Sequence, residues 1–190
     1  MKERFISLLQ QVERNGIEEF IAYLEQDTDF FSAPASAYHH GNYMGGLVDH
    51  SVAVYDNLVK IIETFDLSQR YDKETLILSA LLHDLCKANF YRKVLRNRKN
   101  EKTGQWEKVE IYEINDQFPI GHGEKSVILL SRYIALTEDE MLAIRWHMGG
   151  FDDAARAYTG GQSLSKAMKS TPLVAALHMA DMATCYFKGV

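Results

Sequence analysis

The sequence predicts an all-α bundle interrupted by one small β-hairpin, and three observations carry that expectation. Only three prolines occur in 190 residues, so little interrupts helix formation. Apolar residues recur in three-or-four-residue steps, as at Phe5, Leu8, Leu9 and Val12 and again at Val52, Val54, Tyr55, Leu58, Ile61 and Ile62. That is the spacing of a helix with one buried stripe. One segment breaks the pattern, Tyr91 to Ile114, where Val94, Leu95, Trp106, Val109, Ile111, Tyr112 and Ile114 surround the turn-like Asn100-Glu101-Lys102-Thr103-Gly104. Such a segment reads as two strands and a turn.

The periodicity places helices at about 2–14, 16–26, 46–65, 73–87, 123–135, 137–147 and 172–187. Asp72 ahead of Thr75, and Thr137 ahead of Glu140, supply capping residues for two of them. Pro172 suits a first helical turn. The length fits one domain over 1–190, with 1–38 as an amino-terminal helical extension and 91–114 as the hairpin insertion.

Composition narrows the function classes. Hydrophobic residues at 46% and charged residues at 25% are ordinary for a chain that buries a core. The apolar run Ile77 to Leu82 ends at His83 and Asp84, far short of the ~20 residues a membrane span needs. The start, MKERFISLLQQVERNG, is broken by Glu3, Gln10, Gln11 and Glu13 and reads as an amphipathic helix rather than a signal peptide. Cys86 and Cys185 are distant and show no Cys-x-x-Cys spacing. Neither a disulfide framework nor a thiolate zinc site is expected, and a reducing cytoplasm fits. A net charge of −5 argues against coating duplex nucleic acid by bulk electrostatics. Locally, however, Arg92, Lys93, Arg96, Arg98, Lys99, Lys102 and Lys108 face only Glu101 and Glu107 in 92–108. This excess marks either a solvated hairpin or one that guides a polynucleotide, with Arg96, Arg98 and Lys99 as its contacts.

The chemistry concentrates in polar residues embedded in apolar helices. His83 and Asp84 interrupt Ala80-Leu81-Leu82 and Leu85-Cys86. Burying an imidazole beside a carboxylate costs several kcal/mol unless partners or a metal satisfy them. His50 opens a long apolar helix in Gly45-Gly46-Leu47-Val48-Asp49-His50, and Asp181 lies within Leu177-His178-Met179-Ala180-Asp181-Met182. Two imidazoles and two carboxylates form a donor set suited to first-row divalent ions. Lys87 follows His83 by four residues, one turn along the predicted helix, where its ammonium meets a phosphate oxygen or simply ends the helix at the surface. Cys86 and Cys185 read as small buried residues, and His178 as a hydrogen-bonded core imidazole. The Met148-Gly149-Gly150-Phe151-Asp152-Asp153 stretch either lets backbone approach a substrate or ends a helix.

The order His50, His83-Asp84, Asp181 resembles the HD-domain metal-dependent phosphohydrolases, and the resemblance covers most of the chain. It implies an HD-domain helical bundle and an enzyme. His122 in Ile120-Gly121-His122 and His147 in Arg145-Trp146-His147 fall where members with two metals carry further ligands. The resemblance therefore implies His50, His83, Asp84 and Asp181 on one divalent ion, with Asp84 bridging to His122 and His147 on a second. The metal would be Mn, Fe, Ni, Co, Mg or Zn. It also points to Lys87 as a catalytic group beside Asp84. Lys125 and Arg145, each within a turn of an implied ligand, become candidate phosphate contacts.

A closer likeness is to the HD domains of 3'-to-5' exoribonucleases, which share Ala33-Pro34-Ala35, His39-His40, Gly45-Gly46-Leu47 and the ending Thr171-Pro172 to Leu177-His178-Met179-Ala180-Asp181. On this likeness alone, His39 and His40 bind substrate. Those enzymes carry an amino-terminal OB-type domain, whereas the residues before His39 read as helices. The basic hairpin would substitute for that domain, or the substrate would be a small nucleotide.

The implied activity is hydrolysis of a phosphoester in a nucleotide or short single-stranded nucleic acid. Divalent ions would ionise water at neutral pH and neutralise the phosphoryl oxygens, so no serine or cysteine nucleophile is required. Two rival readings are a mononuclear nucleotidase or dNTPase-like phosphatase, with His122 and His147 binding substrate, and a non-catalytic nucleotide sensor.

Overall fold

The computed structural model describes residues 1–39 and 41–187. Eight α-helices are found among them: α1 (Lys2–Leu9), α2 (Ile17–Gln26), α3 (Gly46–Thr64), α4 (Lys73–Leu82), α5 (His122–Leu130), α6 (Glu138–Trp146), α7 (Tyr158–Ser170) and α8 (Pro172–Phe187). Between α4 and α5 the antiparallel pair β1 (Tyr91–Lys99) and β2 (Trp106–Ile114) forms the expected hairpin, with Tyr91 opposite Ile114 and Lys99 opposite Trp106.

Helix α3 runs through the middle and packs on α4 and α8. It buries Leu47, Val48, Val52, Val54, Leu58 and Ile62 against Ile77, Leu78 and Leu81 of α4 and Leu173, Val174 and Leu177 of α8. These are the stripes that the apolar spacing marks, and removing their surface from water drives the bundle together. The amino-terminal segment joins the same core through Phe5, Leu9, Phe20 and Leu24.

The caps form as expected. Asp72 accepts from the Thr75 N–H, and Thr137 and Glu140 complete a reciprocal capping box at the start of α6. Glu140 also extends that box into a buried ion pair: Arg14 donates to its two carboxylate oxygens at 2.6 and 2.7 Å. The amino-terminal segment is thereby clamped to the helix that leads to His147.

Three helices end earlier than expected and one is unexpected. The predicted helices 2–14 and 123–135 stop at Leu9 and Leu130. The predicted helix 73–87 ends at Leu82; His83 caps it, and a tight 3-10 turn follows over Leu85–Lys87. Apolar residues continue through Leu85 and Cys86, so periodicity alone does not reveal the change in hydrogen bonding. Helix α7 is not expected at all. Gly160 and Gly161 lie in its first turns and only Ala167 is buried, so both propensity and patterning hide it.

Candidate metal centre

Four helix ends deliver the polar groups. His50 lies one turn into α3, His83 and His147 cap the carboxyl ends of α4 and α6, and His122 opens α5. A Cβ at Gly123 would meet the Arg145 carbonyl oxygen at 2.2 Å. The bare glycine thus lets α5 approach α6 closely, bringing the His122 and His147 rings to 5.1 Å between centroids.

The early end of α4 sets the position of Asp84. Its backbone (φ −101°, ψ 20°) occupies the sparsely populated bridge region between helix and strand. From there the carboxylate faces two ways. On the Oδ2 side lie His83 Nε2 at 3.4 Å and His50 Nε2 at 3.6 Å; on the Oδ1 side lie His122 Nε2 at 2.9 Å and His147 Nε2 at 3.6 Å. His50 Nε2 also stands 3.3 Å from His83 Nε2 and 3.2 Å from Asp181 Oδ1. All six side chains named for metal in the sequence therefore meet around one carboxylate. Donor atoms of His50, His83 and Asp181, and of His83, Asp84 and His147, lie within 4.8 Å of one another.

The two helix-capping imidazoles are held alike. Nδ1 of His83 lies 2.7 Å from the Ala80 carbonyl, and Nδ1 of His147 lies 2.7 Å from the Ile144 carbonyl. A carbonyl only accepts, so each Nδ1 carries the proton and donates to a carbonyl in the last turn of its helix. In the neutral ring Nε2 then turns a lone pair inward, the orientation that metal-ligating imidazoles take. His147 Nε2 is buried and has no hydrogen-bond partner among the described residues. A divalent cation would satisfy it, and the oxygen and imidazole donors fit a first-row ion.

The electrostatics agree with a site built for positive charge. Burial pushes the Asp84 carboxyl up, but Lys87, His83, His122 and His147 outweigh it and hold it well below the usual carboxylate range. Asp181 is likewise depressed, with His50 and His83 overcoming burial. Burial lowers His122, yet Cys86 and Asp84 raise it to about 10. His147, where burial dominates, falls to about 4. Protons on the imidazoles compensate the carboxylates where cations would otherwise do so.

Lys87 reaches the same carboxylate by a route different from the expected one. It closes the 3-10 turn, its N–H bonding the Asp84 carbonyl at 2.9 Å, and its Nζ donates to Asp84 Oδ2 at 2.7 Å. Burial lowers its pKa, but Asp84 and Tyr91 raise it above the ordinary lysine value, keeping the ammonium charged. Asp84, Lys87 and Asp181 line a cavity of about 570 Å³ with Tyr91, Met148 and Phe151 on its walls. His39 also lines it, whereas His40 lies outside the described residues.

The two other cations expected at phosphate are committed elsewhere. Lys125 is buried and donates to Asp116 Oδ1 at 2.6 Å; Arg145 bridges Glu124 at 2.5 Å and Asp152 at 2.6 Å and lies over the Trp146 ring. Neither lines the cavity, and the ion pairs hold both at their helices. Spacing from a ligand could not show carboxylates arriving from other turns. His178 is partly buried and lines the cavity; its Nδ1 donates to the His147 carbonyl at 2.7 Å, so the expected hydrogen bond forms, at the cavity wall and next to an implied ligand.

Sequence reasoning missed Tyr91, Met182, Cys185 and Tyr186 as cavity-lining residues. Tyr91 reads as the start of a strand, and no spacing rule connects it to Lys87. It also missed the contact between Cys86 Sγ and His122 Nδ1 at 3.2 Å.

A helical frame here converges imidazoles and carboxylates on one buried centre, a donor set that could hold a metal ion. The family model of the HD domain matches residues 47–182, more than half of the chain, and the chain belongs to the HD-domain family, whose members are generally metal-dependent phosphohydrolases. Comparisons with curated proteins and with solved structures return no match. No described helix is long and apolar enough to cross a membrane.

Proposed function

We propose that the protein hydrolyses a phosphoester of a nucleotide or of a short single-stranded nucleic acid, with two divalent ions held around Asp84. The observation that carries this reading is the division of labour at Asp84, whose Oδ2 faces His50 and His83 while Oδ1 faces His122 and His147. With Asp181 completing the first group, His50, His83, Asp84 and Asp181 would hold one ion, and Asp84, His122 and His147 the other. Bound there, divalent ions supply Lewis acidity and ionised water at neutral pH.

The protein's own groups account for the rest. Asp84, fully ionised, bridges the two halves, and its position beyond the end of α4 is fixed by the 3-10 turn. Lys87 keeps a positive charge at the cavity floor, where it draws in an anionic phosphoryl group and offsets charge as the ester breaks. The Nδ1 bonds of His83 and His147 to backbone carbonyls lock both rings and maintain the tautomer the centre needs. Tyr91, Met148 and Phe151 give the mouth an apolar lining suited to a nucleoside rather than to free phosphate. The likeness of the flanking motifs to exoribonuclease HD domains supports the same substrate class.

A panel of nucleoside phosphates, cyclic nucleotides and short oligomers, assayed with Mn²⁺, tests the reading. Wild-type protein should release product from at least one class. Lys87→Ala should lower the rate about 10²-fold, as loss of a charge-stabilising group does. Binding without turnover across the panel would favour a nucleotide sensor and refute hydrolysis.

A further inference from the structure

We propose that one face of the β1–β2 hairpin is a binding track for single-stranded nucleic acid that delivers a strand end to the Asp84 centre. The substrate class rests on the hydrolytic reading above; the track rests on the hairpin itself.

Alternation along the strands divides the hairpin's side chains between two faces. Tyr91, Lys93, Leu95, Asn97 and Lys99 share one face with their partners Ile114, Tyr112, Glu110, Lys108 and Trp106. The opposite face carries Arg92, Val94, Arg96 and Arg98. The first face begins at the candidate centre, because Tyr91 lines the large cavity beside Asp84 and Lys87. Tyr91 also lines a second cavity of about 190 Å³, together with Lys93, Tyr112 and Met44. Two cavities joined at one tyrosine suit a ligand that extends beyond a single nucleotide.

Further out, the same face pairs cations with aromatic rings. Lys93 stands opposite Tyr112, with Nζ 5.7 Å from the ring centre, and Lys99 stands opposite Trp106. The two rungs are six residues apart on β1, about 20 Å at strand rise. Trp106 is 71% exposed and Leu95 67% exposed, so both side chains are open to a ligand. Aromatic rings for base stacking, interleaved with lysines for phosphates, are the components of sequence-tolerant single-strand binding.

The charge pattern singles out the outer half. Glu113 pairs with Arg92 and Arg96, and Glu110 pairs with Lys93 at 2.7 Å. No ion pair among the described residues engages Arg98, Lys99, Lys102 or Lys108. These four cations outnumber Glu101 and Glu107 at the hairpin's tip, and the local positive excess complements a polyanion, in a protein whose net charge is −5. Of the three contacts the sequence suggests, Lys99 lies on this face, beside Trp106 and Lys108, while Arg96 and Arg98 lie on the reverse face.

The test compares Lys99→Ala with Arg98→Ala, neighbours that remove equal charge from opposite faces. Fluorescently labelled oligodeoxyuridylate and oligouridylate of about 15 nucleotides are titrated by anisotropy with EDTA present. Lys99→Ala should weaken binding more than Arg98→Ala and reduce the salt slope by about 0.7. Trp106→Ala should weaken it about tenfold. Preference for either oligomer identifies the sugar, and both preferences uphold the track. Equal losses for Lys99→Ala and Arg98→Ala with no effect of Trp106→Ala would overturn it. So would a wild-type dimer in sedimentation that Trp106→Ala dissociates, since the face would then be a self-association surface. Turnover of a chromogenic phosphodiester by wild-type protein with Mn²⁺ tests hydrolysis separately. Face-specific binding without turnover overturns hydrolysis alone, and turnover without face-specific binding overturns the track alone.

Discussion

Two buried ionic clusters stand at opposite ends of α4, and they are completed differently. Around Glu140, which is fully buried, Arg14 donates at 2.6 and 2.7 Å, the Thr75 hydroxyl at 2.9 Å and the Thr137 N–H at 2.8 Å. Every part of that carboxylate is met by the protein, with a full opposite charge beside it. Around Asp84 and Asp181 the protein gathers four imidazoles and a lysine, yet His147 Nε2 is left without a hydrogen-bond partner. A closed cluster fixes the fold, whereas an open one is completed by something from solution. Burial of charge alone would not separate the two; satisfaction of each donor and acceptor does.

The largest expected effect lies at the open cluster. Asp84→Asn removes the shared charge, and the account expects hydrolysis to fall by about 10³-fold or more, with bound metal falling too. Both are measurable on one purified sample by turnover and elemental analysis. A variant that retained its metal and most of its rate would deny Asp84 its bridging place.

Next in size, Arg14→Ala should destabilise the fold by about 3–5 kcal/mol, because Glu140 is left as a buried carboxylate without its cation. Urea unfolding reports this, and metal content in the folded protein should stay unchanged. A parallel loss of metal would show that the two clusters are not independent.

Chelation should act on the open cluster alone. If the ions bind the native state, stripping them lowers stability by about 3–4 kcal/mol when they had been present at 10²–10³ times their dissociation constant. The melting temperature should recover on adding Mn²⁺. An unchanged melt would mean that the unmet nitrogen is tolerated without a cation.

The smallest effect concerns pH in the chelated protein. Burial lowers His147 to about 4, so the native state binds its proton less readily than the unfolded chain does. The stability tied to its neutral form is complete above about pH 6.5, the ordinary histidine value, and drains as pH falls through 4. His147→Asn should flatten this acid limb in urea midpoints measured between those pH values. An equally steep limb would assign the dependence to other groups.

The sequence makes the open cluster more legible than the closed one. His83 and Asp84 interrupt a run of leucines, and His50 and Asp181 stand out in the same way, because polar atoms inside an apolar stripe require an explanation. Glu140 is legible only as a capping residue; its pairing with Arg14 joins residues 126 positions apart and leaves no local signal. The same holds for Lys125 and Arg145, whose carboxylate partners are set by packing. Trp106 is legible as a strand residue, but the face it shares with Tyr91 depends on register, which only the paired strands fix. Helix α7 escapes notice because Gly160-Gly161 lower its propensity and its core-facing stripe is only Leu164, Ala167 and Met168.

Anomalous diffraction from crystals grown with Mn²⁺ tests the central claim most directly. The account predicts two peaks flanking the Asp84 carboxylate, one among His50, His83 and Asp181 and the other beside His122 and His147. Absence of any peak at Asp84, or manganese bound only at surface carboxylates, would contradict it.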